Sequence, residues 1–101
     1  MICVVATIKA KDKQHDTIME AFREILPDIQ AKKGCIEYSL AIHIQSVPDA
    51  SRVDPNAIIL IEKWSDSEAL QAHMADPVYQ AWYVKLWPLI EDASMQIFEM
   101  V

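Results

Sequence analysis

Glycine is nearly absent from this sequence of 101 residues, with Gly34 the only one. With five prolines and 52% hydrophobic residues beside it, that excludes a collagen-like, low-complexity or disordered chain. Basic residues are also short: nine Lys and Arg stand against fifteen Asp and Glu, a formal net charge of -6. Such a chain repels phosphate backbones and anionic lipid, so neither nucleic acid nor a membrane is an expected partner. The longest apolar run near the start, MICVVATI, is far short of a membrane span and lacks the basic residues that open a signal peptide. The expected location is therefore the cytoplasm. Cys3 and Cys35 show no C-x-x-C or Cys/His ligand spacing, and His15, His43 and His73 form no H-x-x-x-H or H-E-x-x-H pair. No metal site is signalled, and the thiols read as reduced and partly buried.

What is present is periodicity. A chain of this length holds one core, so residues 1–101 are expected to form a single domain. Residues 2–9 are rich in β-branched types and read as a first strand. From Asp16 onward, Ile18, Phe22, Ile25, Leu26 and Ile29 recur at helical spacing, with Pro27 as an expected kink or late irregularity and Gly34 as the terminator. CIEYSLAIHIQS then alternates, with Ile36, Tyr38, Leu40, Ile42 and Ile44 on one face, which predicts a second strand over 35–46. A polar loop carrying Pro48 and Pro55 follows, and IILIEKW reads as a buried third strand.

Ser65 and Glu68 form a capping-box pattern that predicts a short helix from Ser65 to about Ala75. Asp76 and Pro77 restart a second helix as cap and first helical residue. Along it Val78, Tyr79, Trp82, Tyr83, Leu86, Leu89 and Ile90 cover more than half the circumference, which predicts heavy burial. SMQIFEMV, residues 94–101, closes the chain as a fourth strand. The order β-α-β-β-α-α-β is the split βαβ, ferredoxin-like arrangement: an α+β fold with one antiparallel four-stranded sheet and helices on one face. The strands carry apolar residues at both parities, so the open face calls for a cover, and a second copy of the chain is the simplest.

Strand alternation puts Ile58, Leu60, Glu62 and Trp64 on one face and Ile59, Ile61 and Lys63 on the other. On the next helix Asp66, Ala69, Leu70 and His73 share a side, so His73 points toward the sheet. The plain alternative is a core-edge imidazole bonded to a carbonyl, with Trp64 merely filling space. Glu62 is harder to dismiss: among Ile58, Leu60 and Trp64 it reaches solvent or a partner, or else burial raises its pKa. Tyr38, Tyr79, Trp82, Tyr83 and Trp87 read as core and interface, with one or two at a pocket.

KKGCIEY, IEKWSDSEALQAHM and DPVYQAWY together resemble the antibiotic biosynthesis monooxygenase domain family. Its most specific part is E-x-W at the end of the third strand, with a helical histidine nine residues after the tryptophan. The resemblance implies a small dimeric α/β barrel, a homodimer meeting through the open sheet faces, and a pocket between sheet and helices. It also implies a cofactor-independent oxygenase of the quinol-monooxygenase type, taking a small aromatic substrate and O2 with no metal. Carried over, Trp64 and His73 become the catalytic positions, with Tyr38, Leu60, Glu62 and Tyr83 in the substrate pocket. His73, with an ordinary pKa near about 6.5, would serve as general base, and Trp64 as a flat wall for the substrate. Haem-degrading relatives use positions that hold Thr7, His73 and Tyr83 here, which disfavours a haem oxygenase. Two other readings stay open: a cofactor-free isomerase of a small dione or phosphorylated sugar, for which Lys9, Lys11, Lys32, Lys33 and Arg52 are the candidate anchors, and a non-catalytic dimeric ligand-binding module.

Overall fold

A computed structural model describes residues 1–44 and 53–101. The elements run β1 (Ile2–Ala10), α1 (His15–Gln30), β2 (Cys35–Ala41), β3 (Ala57–Trp64), α2 (Ser67–Ala75), α3 (Pro77–Leu86), a 3-10 turn (Trp87–Leu89) and β4 (Ile90–Glu99). All neighbouring strands are antiparallel in the order β2-β3-β1-β4, which is the expected ferredoxin-like α+β sheet. No helix among the described residues is long and apolar enough to cross a membrane.

Alternation along β1 and β3 builds the core. Val4, Ala6 and Ile8 on β1 and Ile58, Leu60 and Trp64 on β3 are buried under Ile18, Phe22 and Ile29 of α1, Leu70 of α2 and Leu86 of α3. All three helices therefore cover one face. The other face, bearing Val5, Thr7, Ile59 and Ile61, is half-buried, and no described helix packs on it. Thr7 thus lies across the sheet from His73 rather than beside it.

Gly34 holds the β2 end of the sheet against α2. Its φ is 82°, and a Cβ there would lie 2.5 Å from the Cβ of Ala69 and 2.8 Å from Ser65 Oγ, so only glycine fits. Its carbonyl accepts the Ser65 N–H at 2.8 Å. Pro27 lies in the last turn of α1, where the Ala31 N–H closes onto its carbonyl at 3.1 Å.

Several boundaries differ from expectation. Asp66, not Ser65, caps α2: its backbone is extended and its Oδ1 accepts the Ala69 N–H at 2.8 Å, whereas Ser65 is drawn to Gly34. The regular part of β2 stops at Ala41, Ile42 and Ile44 are exposed, and Gln45 and Ser46 lie outside the described residues, as do Pro48 and Arg52. A register shift between Cys35 and Glu37 also breaks the alternation and leaves Ile36 exposed. β4 begins four residues early, at Ile90, because Trp87, Pro88 and Leu89 tighten into a 3-10 turn that ends α3. Nor is α3 heavily buried: Val78 is 73% exposed and Val84 is exposed too, since α3 overhangs a cleft instead of a filled core.

Candidate active site

Two short-range rules bring the site together. The two-residue period of β3 turns Leu60, Glu62 and Trp64 toward the helices, and the three- and four-residue period of α2 turns Leu70 and His73 toward the sheet. His73 is 3% exposed and Glu62 5%, the two polar residues buried among the described ones. The imidazole stacks on the indole of Trp64, with ring centroids 4.9 Å apart and planes 23° from parallel. Tyr79 tilts against it at 4.2 Å, and Tyr38 meets it edge-on at 5.7 Å.

A cation completes the arrangement. Lys32, in the turn after α1, places Nζ 2.8 Å from His73 Nδ1 and 2.8 Å from Oδ2 of Asp76. Asp76 is fixed in turn by its position between α2 and α3, where Oδ1 caps α3 by accepting the Val78 N–H at 2.9 Å. Burial, and then the Lys32 charge, push His73 down to about 4 against the opposing pull of Asp76. The imidazole is therefore neutral at physiological pH, and the ordinary histidine titration expected from the sequence is lost to its surroundings.

Glu62 is perturbed the other way. Burial raises its pKa, and the hydrogen bond from Trp64 Nε1 to Oε1, 3.1 Å, offsets only part of that rise. The phenols are poor acids here: burial drives Tyr38 upward and Tyr79 up to about 12, and raises Tyr83. The Tyr38 hydroxyl is buried beside Tyr79 without a hydrogen-bond partner among the described residues.

His73, Glu62, Tyr79 and Tyr83 border a cleft of about 540 Å³ between the sheet, α2 and α3. Ala6, Ile8 and Leu60 form its floor, His73 and Glu62 supply its charge-bearing polar groups, and Tyr79, Tyr83, Trp87 and Met95 close its sides. Of the residues singled out in the sequence, Leu60, Glu62, His73 and Tyr83 line the cleft. Trp64 and Tyr38 do not: both are wholly buried behind it, so the indole is a backing plate for His73 and Glu62, not a wall for a ligand. In the sequence Tyr79 is among the aromatics of which one or two are expected at a pocket, and Lys32 is only a candidate phosphate anchor; the contact of Lys32 with His73 and the second function of Asp76 are not legible there. Among the described residues, no three His, Cys, Asp or Glu side chains come together as metal ligands would.

The sequence profile described as antibiotic biosynthesis monooxygenase matches residues 1–85. The chain is 26% identical over 84 residues to "Probable quinol monooxygenase YgiN" of Escherichia coli K12, covering 81% of each. Among solved structures, a protein from Shewanella oneidensis superposes with a TM-score of 0.83 at 25% identity, over 98% of this chain and 89% of that one. One from Deinococcus radiodurans superposes with a TM-score of 0.85 at 18% identity, over 100% and 93%.

Proposed function

The chain belongs to the antibiotic biosynthesis monooxygenase family, and from that premise we propose that it is a cofactor-independent monooxygenase oxidising a small hydroquinone-like or polycyclic phenolic substrate with O2. One observation carries the reading: two buried groups able to exchange protons, His73 and Glu62, face a single cleft whose remaining lining is mostly apolar and aromatic, with Gln80 and Ser94 its other polar members. Its volume of about 540 Å³ falls in the range of small-molecule sites and suits one planar bicyclic or tricyclic ring system. The Escherichia coli relative named for quinol oxidation supports the same substrate class.

The chemistry needs little from the protein. Triplet O2 reacts slowly with closed-shell organics, but an ionised hydroquinone is electron-rich enough to reduce it. One oxygen atom enters the ring and the other leaves as water, the four electrons all coming from the quinol, which ends as a hydroxyquinone. The site must ionise one hydroxyl, hold the ring and exclude bulk water. His73 meets the hydroxyl through Nε2 as a neutral imidazole, beside Glu62.

The partner is a second copy of the chain, seated on the open sheet face where Val5, Ile59, Ile61 and Phe98 give an apolar surface. Two free cysteines suit a reducing cytoplasm. A phosphorylated-sugar isomerase is less well supported, because no Lys or Arg lines the cleft among the described residues. Oxygen uptake by metal-free protein, measured against a panel of naphthohydroquinones and anthrones, tests the reading. One O2 consumed per hydroxyquinone formed from a naphthohydroquinone, or per anthraquinone formed from an anthrone, is expected with water and not hydrogen peroxide as the other product, and no uptake across the panel sinks it. Turnover of a dione under anaerobic conditions would favour the isomerase instead.

A further inference from the structure

We propose, building on that oxygenase reading, that Glu62 takes the proton of the substrate's hydroxyl while His73 acts as an Nε2–H donor to the oxygen so ionised, held in that form by Lys32 as a positioning residue. An ammonium carries three donors and no lone pair, so the 2.8 Å contact between Lys32 Nζ and His73 Nδ1 makes Nδ1 the acceptor. The ion pair with Asp76, also 2.8 Å, holds Lys32 in place. A neutral imidazole whose Nδ1 accepts carries its hydrogen on Nε2, and a protonated Nε2 gives hydrogen bonds without taking protons. The nitrogen left to face the cleft is therefore a donor.

The complementary acceptor is Glu62, which lines the same cleft. Its Oε1 receives Trp64 Nε1–H, and a carboxylate has lone pairs to spare on its second oxygen. Trp64 touches both groups, stacking on His73 while bonding Glu62, so one rigid indole fixes proton acceptor and donor relative to each other. Burial raises the carboxylate's proton affinity while holding the imidazole uncharged, the divergence of environments that separates an acid from a base. In the step itself the phenol O–H breaks and its proton bonds to Glu62. The electron pair stays on the substrate oxygen, which accepts from His73 Nε2–H, and electrons pass to O2 only afterwards.

Three measurements test this. Nitrogen-15 spectra of unliganded protein at neutral pH should show His73 as the Nε2–H tautomer, turning to a tautomer mixture in Lys32→Met and returning in Lys32→Arg; a wild-type Nδ1–H tautomer overturns the proposal. Anaerobic binding of 2-naphthol should raise its phenolate absorption band in wild type, and Glu62→Gln should bind it without the band. In aerobic turnover Glu62→Gln should lower kcat by about 10² to 10⁴, with KM held within about threefold. A phenolate band or kcat that survives Glu62→Gln overturns the assignment while leaving the oxygenase reading standing. If wild type neither binds naphthol nor consumes O2 with any hydroquinone, both fall together.

Discussion

Trp64 donates its indole N–H to Glu62, 3.1 Å away and two residues earlier on the same strand, with the indole wholly buried and the carboxylate at the edge of the cleft. The two-residue period of β3 puts both side chains on the helix-facing side, within reach of each other. It gives a buried carboxylate a hydrogen-bond donor, and it ties a wholly buried core residue to the chemistry at the cleft.

Trp64→Phe removes that N–H together with one of the two fused rings, so a pH-independent cavity cost adds to the lost hydrogen bond. A hydrogen bond to a charged group contributes about 1.5–3 kcal/mol, so urea unfolding at neutral pH should show a loss larger than that. The loss should shrink in acid, where Glu62 is protonated and its desolvation is cheaper. An equal loss at both pH values would show that the N–H does not serve the carboxylate.

Stability should fall on the acid side in a way that traces to His73. Its folded pKa is pushed down to about 4, so as pH drops from about 6.5 the unfolded chain takes a proton that the folded one refuses, a loss of up to about 3 kcal/mol. Asp76 and Glu37, held low by hydrogen bonds from Lys32 and Lys63, add to the same acid-side loss. Glu62 works in the opposite sense: its raised pKa means its contribution is present below the ordinary carboxylate value and is lost as pH rises through the folded value. Tm measured from pH 4 to 8 should therefore flatten on the acid side in His73→Gln and gain on the alkaline side in Glu62→Gln.

Gly34→Ala should damage fold and site together. The left-handed backbone alone costs about 1–2 kcal/mol for any other residue, and the new Cβ would meet Ala69 at 2.5 Å. Since Ala69 lies one turn before His73 on α2, naphthol affinity should fall along with the urea midpoint. Unchanged affinity in a destabilised protein would mean that α2 does not depend on this turn.

The cap of α2 separates two neighbouring residues. Asp66→Ala should lose about 1 kcal/mol, because it removes the acceptor of the Ala69 N–H. Ser65→Ala should stay within about 0.5 kcal/mol. The reverse ranking in urea melts would restore Ser65 as the cap.

The open sheet face predicts an oligomer. Val5 and Ile61 pair across β1 and β3 near its middle, so Ile61→Lys should convert a dimer to a monomer in sedimentation at micromolar concentration without loss of helical circular dichroism. A wild-type monomer under those conditions would remove the dimer from the account.

Local rules in the chain determined a good deal. Period two in IILIEKW put Leu60, Glu62 and Trp64 on one face, helical spacing put Leu70 and His73 inward, and Asp76 with Pro77 marked the break between α2 and α3. Each of these depends on a few residues of backbone geometry, which sequence encodes directly. Depth and partnership do not. Only tertiary packing decided that Trp64 and Tyr38 stand behind the cleft, that α3 overhangs it with Val78 and Val84 exposed, and that Lys32 meets His73 from 41 residues away. Periodicity fixes which way a side chain points. What it meets there is set by how the Gly34 turn and the antiparallel register fold distant segments onto one another, and the proton chemistry of His73 follows from that meeting.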